Sequence, residues 1–341
     1  MAARGSVQAR LTAMRSKLTP VLLLIAVILL AAFPFVGEKF YIQLIAKVMI
    51  MAIFAMSLDL LVGYTGLVSL GHAAFFGLAG YVLAKAAPQY AAANLWTTLA
   101  LALVACAIFA LLTGFLVLRT SGIYFIMVTL AFSQMLFFVF HDTPFGGGSD
   151  GMYIYAKPEM KIGETALLDL EDFKVLYWFT LGLMTLVYLF LRQVLDSNFG
   201  RALIGIKTNE HRLRALGFPT FRYKLASYML SGTLAGLAGY IAALQFGFVN
   251  PEILSWHVSG SVLMMVILGG MGSLHGAVLG AFVFILLQEI LSNQSWFGPI
   301  AKHWQLAMGI FVIIVALLLP QGLVGLGSTF RKKHKASGGH G

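Results

Sequence analysis

Charge is what this sequence has least of. Only 11% of its 341 residues are Asp, Glu, Lys or Arg, where a soluble domain carries about 25%. With 60% hydrophobic residues and a mean hydropathy of +0.88, the shortage excludes a globule with one anchor and points to an all-α polytopic membrane protein. Cysteine is nearly absent. Cys106 stands alone in a hydrophobic run, which excludes an intrachain disulfide or a cysteine-based metal site and reads as a small buried hydrophobe. Each span takes roughly 20 apolar residues, so the length holds about ten spans in a single transmembrane domain (1–341) and leaves no room for a soluble catalytic domain. Catalytic motifs are missing too. There is no HExxH and no GxSxG. The string from Gly200 through Gly205-Ile206-Lys207-Thr208 misses the phosphate-binding loop, because Ile206 stands where glycine must precede the lysine and no strand leads into it. His72 and His275 flank glycine-rich breaks without paired ligand spacing, so helix-end hydrogen bonding is expected of them and no metal. Neither a catalytic residue nor a bound cofactor is expected.

What charge there is lies in clusters. The chain has 23 Lys and Arg against 13 Asp and Glu, a net charge of +10. Fifteen of the 23 lie in three segments: the tail 1–19, the insert 192–224 and the tail 321–341. Seven of the 13 acids lie in the connection 141–172. The first apolar run, 20–36, starts like a signal peptide but reads as an uncleaved first span. Further spans are predicted near 41–62, from the interruption 63–72 on to about 87, and near 95–118, 122–140, 173–191, 225–246, 254–268, 274–291 and 304–319. Ten spans put all three basic segments on one face and the acidic loop on the other, as the positive-inside rule requires. Both termini and 192–224 are then cytoplasmic and 141–172 periplasmic. The net charge is spent on topology at the lipid surface and does not call for a nucleic-acid partner.

The insert is more patterned than a tether. Phe199 to Ile206 reads as one short helix and Asn209 to Leu216 as another, stopped by Gly217 and by Pro219 beyond it. Such a basic, amphipathic surface suits a soluble partner; a solvated loop that only sets topology is the other reading.

Two glycine-rich breaks interrupt the apolar runs. One holds Gly63, Gly66 and Gly71, the other Gly269, Gly270 and Gly272. They fall in two four-span blocks of opposite orientation, the pattern of a transporter built from inverted repeats; tight hairpins between spans are the alternative. Small residues recur at four-residue spacing (Gly272, Gly276, Gly280; Gly232, Gly236; Ala73, Gly77) and allow close helix crossings. Thr129, Ser133 and Gln134 share a helical face, fit to line a polar path or to hydrogen-bond between helices. Asp59, beside the first break, suits a backbone cap or a basic partner. No acid pair lies mid-membrane, so the driving energy is expected from outside the chain.

Taken in order, certain stretches resemble one family. These are Ser57 to Gly66 with Ser69 to Gly77, Tyr124 to Phe132, Gly147-Gly148-Ser149-Asp150-Gly151, Phe199-Gly200-Arg201-Ala202-Leu203, Asn209-Glu210 with Ala215-Leu216-Gly217, and Gly269 to Ser273. They look like the permease subunits of bacterial branched-chain amino acid ABC importers, specifically the longer of the two permeases, over about residues 40–320. The resemblance implies the fold of type II ABC importer permeases in the inner membrane. It implies a heterodimer with a second homologous permease, two cytoplasmic ABC ATPases that hold ATP-Mg, and a periplasmic binding protein that delivers the amino acid. Phe199, Gly200, Arg201, Glu210, Arg212, Ala215, Leu216 and Gly217 then form the ATPase-coupling element. His211 and Arg212 depart from the small residues frequent there. Relatives of the same architecture are thought to carry urea, short amides or aromatic acids. A self-sufficient secondary transporter is the reading from another class.

Overall fold

Long apolar runs cannot leave backbone groups unpaired in lipid, so they become helices. The structure is a computed structural model that describes residues 26–35, 37–88, 92–162, 165–168, 170–294, 298–319 and 321–325. The basic tail 1–19 and residues 326–341 lie outside the described residues, as does the start of the first span.

Among the described residues, eleven helices follow in order: α1 (Ala26–Phe35), α2 (Lys39–Asp59), α3 (His72–Ala86), α4 (Leu95–Val117), α5 (Ile123–Asp142), α6 (Phe173–Asp196), α7 (Asn198–Ala215), α8 (Thr220–Phe246), α9 (Trp256–Gly269), α10 (Leu274–Ser292) and α11 (Trp304–Leu318). Seven stretches are long and apolar enough to span a membrane: α2 with its continuation to Thr65, α4, α5, α6, α8, α10 and a segment from Ala301 through α11. The chain is thus an all-α polytopic membrane protein.

Two helices form the centre. In α2, 83% of the most apolar window is buried, against 17% in α11. Residues 52–56, 58 and 59 of α2 are fully enclosed. The partner α8 presents the small-residue stripe expected of it. A Cβ at Gly239 would lie 1.8 Å from the Phe76 carbonyl oxygen, one at Gly236 would meet Cys106 Sγ, and one at Gly232 would meet the Phe75 ring. Backbone-to-backbone approach is what lets α3 and α4 pack on α8 where lipid offers no hydrophobic drive. The Gly276 and Gly280 stripe serves the α9–α10 hairpin in the same way, with Gly280 against the Met265 carbonyl. α4, α5 and α11 keep large apolar side chains outward, including Leu112, Met135 and Leu317.

Two boundaries around the insert differ from expectation. α6 runs on to Asp196, and α8 begins at Thr220 rather than near 225. Arg222 and Lys224 therefore belong to the first turns of α8, where Lys224 is buried. The connection 141–172 carries short strands: β2 (Met160–Ile162) pairs antiparallel with β3 (Thr165–Leu168), and β1 (Met152–Tyr153) pairs with β4 (Phe248–Val249). These pairings, one within the connection and one to the segment after α8, satisfy backbone groups of a stretch too polar to enter the bilayer.

Candidate functional site: the coupling insert and the glycine crossing

Within the insert, the stretch between α6 and α8 folds as the two helical pieces its pattern predicts. Ser197 caps α7, its hydroxyl accepting from the Phe199 N–H at 3.2 Å. The helix breaks at Asn209, whose backbone is extended (φ −160°, ψ 93°). Asn209 Oδ1 then accepts from the Arg212 N–H at 2.9 Å, so Asn209 is the cap of the second piece. The second piece ends in a Schellman turn. The Phe218 N–H donates to the Leu213 carbonyl and the Gly217 N–H to the Arg214 carbonyl, and Gly217 takes φ +84°. That left-handed conformation is the reason for a glycine there.

α7 is two-faced. Gly200, Ala202, Leu203 and Ile206 are buried. Phe199 stacks on Tyr223 of α8, ring centroids 5.7 Å apart. On the other side Arg201, Ile204, His211, Arg212, Ala215, Leu216 and Gly217 are exposed, Leu216 to 70%.

Glu210 faces inward. Its Oε1 accepts from Lys224 Nζ at 2.9 Å, from Arg214 at 2.6 Å and from the Thr220 hydroxyl at 3.1 Å. Burial pushes its carboxyl up, but the bond and charge of Lys224, with the bonds from Arg214 and Thr220, outweigh this and hold it below the usual carboxylate range. This clamp fastens the second piece of α7 to the start of α8. Lys224 carried no signal of its own in the sequence. The pair spans the Gly217–Pro219 turn, so no helical period connects its members.

The two glycine breaks come together. α2 does not stop at Asp59 but runs on through a wide π-type turn over Leu60–Thr65. A Cβ on Gly63 would lie 2.4 Å from the Gly272 nitrogen and 2.2 Å from Asp59 Oδ1. The side chain of Asp59 is fully buried, and its Oδ1 accepts from the Gly272 N–H at 2.8 Å. Of the two roles its position suggested, Asp59 fills the backbone cap. The turn at Gly270 and Gly272 takes positive φ (117° and 82°), while Gly269 packs on the Gly276 carbonyl. Gly66 closes the first break at φ +80°, and Gly71 leads into α3 against the Thr129 carbonyl.

Lys207, passed over in reading the sequence for site residues, joins the insert to this crossing. Its Nζ donates to the Gly63 carbonyl at 2.5 Å. The only advance sign was a lysine at the end of the first helical piece.

Thr129 and Ser133 lie buried on α5, turned toward neighbouring elements. The Thr129 hydroxyl accepts from the Leu70 N–H at 3.3 Å, and the Ser133 hydroxyl donates to the Leu254 carbonyl at 2.7 Å. Gln134 beside them keeps its Nε2 buried without a hydrogen bond among the described residues. His72 is enclosed between the Ser231 and Ser69 hydroxyls, at 2.7 and 3.2 Å. The α3 N-terminus beside it is capped from α9, the Ala73 N–H donating to Ser259 Oγ at 2.8 Å.

This architecture has relatives. The chain is 29% identical to the high-affinity branched-chain amino acid transport system permease protein LivM of Escherichia coli K12 over 323 residues, covering 89% of this chain and 74% of that protein. The same figures hold for LivM of Salmonella typhimurium. A probable branched-chain amino acid transport permease of Methanocaldococcus jannaschii is 23% identical over 160 residues, 44% of this chain and 46% of that one. No solved structure matches. The family described as branched-chain amino acid transport system / permease component matches residues 40–317, a range that holds α2 through nearly all of α11, both glycine breaks and the whole insert. The chain belongs to that family of membrane transport permeases.

Proposed function

We propose that this chain is one membrane subunit of an ATP-driven importer that admits branched-chain, hydrophobic amino acids to the cytoplasm. A periplasmic protein delivers the substrate, a second homologous permease completes the pathway, and two cytoplasmic ABC ATPases carry ATP-Mg and do the hydrolysis. The inner membrane holds the subunit, with α7 and both termini on the cytoplasmic face and 141–172 on the periplasmic face. The seven long apolar stretches, with the shorter α1, α3 and α9, supply ten crossings, of which α2–α5 and α8–α11 form two inverted four-span blocks on either side of the 141–224 region.

One observation carries this reading. In a member of a transport-permease family, α7 is clamped from behind by Glu210 and Lys224 while it turns exposed Arg201, Arg212 and Leu216 outward. A loop that merely sets topology needs positive charge but no internal buttress. A docking element needs both, because binding energy and movement must pass through it without being lost to local flexing. The outward face combines cations with large apolar side chains, a composition suited to a protein groove.

The test is purification of the tagged chain from its native membrane in mild detergent. A second permease and two ATPases should co-purify. Hydrolysis should rise when a binding protein loaded with leucine is added, and not when it is offered urea or aromatic acids. Recovery of the chain alone, with no ATP hydrolysis, overturns the reading in favour of a self-sufficient transporter.

A further inference from the structure

The π-type turn after Asp59 ends at its left-handed cap Gly66, so the last carbonyls of that turn need donors from outside the helix. In an uninterrupted helix the Leu67 N–H would close on the Gly63 carbonyl. Here it donates to the Leu61 carbonyl instead, and the Gly63 carbonyl is released from the ladder. A carbonyl left in this way must be satisfied by some other donor. That donor is Lys207, reaching from α7 with its stem laid over Gly66, where a Cβ would stand 3.1 Å from Lys207 Cγ. The same Gly63 touches Gly272 of the second break, and Asp59, one turn earlier, holds the Gly272 N–H through Oδ1. Asp59 Oδ2 is buried with no hydrogen bond among the described residues. The ammonium of Lys207 thus engages one acceptor at the crossing, the Gly63 carbonyl, and the Asp59 carboxylate packed against Gly63 is a second.

We infer that Lys207 is a positioning residue that ties α7 to the crossing of the two glycine breaks, its ammonium exchanging the Gly63 carbonyl for the Asp59 carboxylate when that crossing rearranges. The inference rests on the proposed importer function, in which α7 receives the ATPases. It names the atoms through which displacement of α7 reaches α2 and α10. Among the described residues, Lys207 is the one side chain of α7 that bonds to the crossing, while Glu210 and Arg214 turn instead to the α8 side. Ammonium suits the task. It is a point charge with three donors on a flexible stem, able to change acceptors without repacking. Carbonyl and carboxylate then define two discrete arrangements, which a coupling element requires.

The test uses the whole complex with Met271→Cys as reporter. Met271 lies in the second break and is exposed, whereas Cys106 is fully enclosed and stays silent to maleimide. With Lys207 intact, the maleimide labelling rate at position 271 should change between nucleotide-free and ATP-Mg-bound complex. In Lys207→Met the rate should become indifferent to nucleotide. Uptake per ATP hydrolysed should fall about tenfold, within the range of ordinary coupling energies. Lys207→Arg should restore part of both. Asp59→Asn combined with Lys207→Met should be no worse than Lys207→Met alone. Should the methionine variant fail to assemble, Lys207→Gln keeps a donor for the Gly63 carbonyl without the charge, and should assemble yet lose the nucleotide response. A nucleotide response and uptake ratio unchanged in the assembled Met or Gln variant overturn the inference. If no ATPase co-purifies with the unaltered chain, the importer reading itself fails, and this is visible before any Lys207 variant is made.

Discussion

Asp59 and Gly272 stand 213 positions apart and share a hydrogen bond of 2.8 Å between carboxylate and backbone N–H. A buried carboxylate that satisfies a backbone group in a turn fixes that turn, and here it fixes one glycine break against the other. The approach is close enough to bar any side chain. Gly63→Ala would drive a methyl group into the Gly272 nitrogen at 2.4 Å and the Asp59 carboxylate at 2.2 Å. Since backbone must give way, the cost should reach at least about 2 kcal/mol, in the range of overpacked cores. A fluorescence-monitored thermal melt in detergent should show the loss as a lower transition temperature.

Glu210 predicts a pH dependence. Its folded pKa is depressed below the ordinary 4.5, so the clamp contributes fully above that ordinary value and is lost as pH falls through the depressed one. The stability difference between the unaltered chain and Glu210→Gln should therefore stay flat from about pH 6 to 8 and shrink only in acid below 4.5. Near neutrality, removing the carboxylate from this partly exposed pair should cost about 1 kcal/mol. Denaturant titration of both proteins across the pH range checks sign and window together.

Gly217 is needed for conformation and not for space. Nothing lies within 4 Å of a Cβ placed there, but φ is +84°. Gly217→Ala should cost about 1 kcal/mol through left-handed strain. Gly217→Asn should cost less, because asparagine tolerates that region. Limited proteolysis near the end of α7 should rank the three proteins in that order.

Ser133 offers a test of how α5 is used. Its hydroxyl already bonds the Leu254 carbonyl at 2.7 Å. Ser133→Ala should therefore lower stability by about 0.6 kcal/mol, the average for side-chain hydrogen bonds inside a membrane protein. The Michaelis constant for uptake should stay unchanged. A shift in that constant without a stability change would place the hydroxyl on the substrate's path instead.

Much of this protein was settled by its sequence. Scarce charge and long apolar runs dictate membrane helices, because lipid leaves the backbone no other partner. The two pieces of α7, the cap at Asn209 and the stop at Gly217 are local features, decided within one or two turns by side chains that compete for their own backbone. The positions of both glycine breaks were legible for the same reason. Their contact was not. Gly63 with Gly272, Lys207 with Gly63 and Glu210 with Lys224 are brought together only by packing of separate helices. The first two pairs lie 209 and 144 positions apart, a separation no helical period connects. The inward turn of Glu210 likewise waited on Lys224 being buried at the start of α8, since an acid on an amphipathic helix points equally well to solvent until a neighbouring helix supplies the cation.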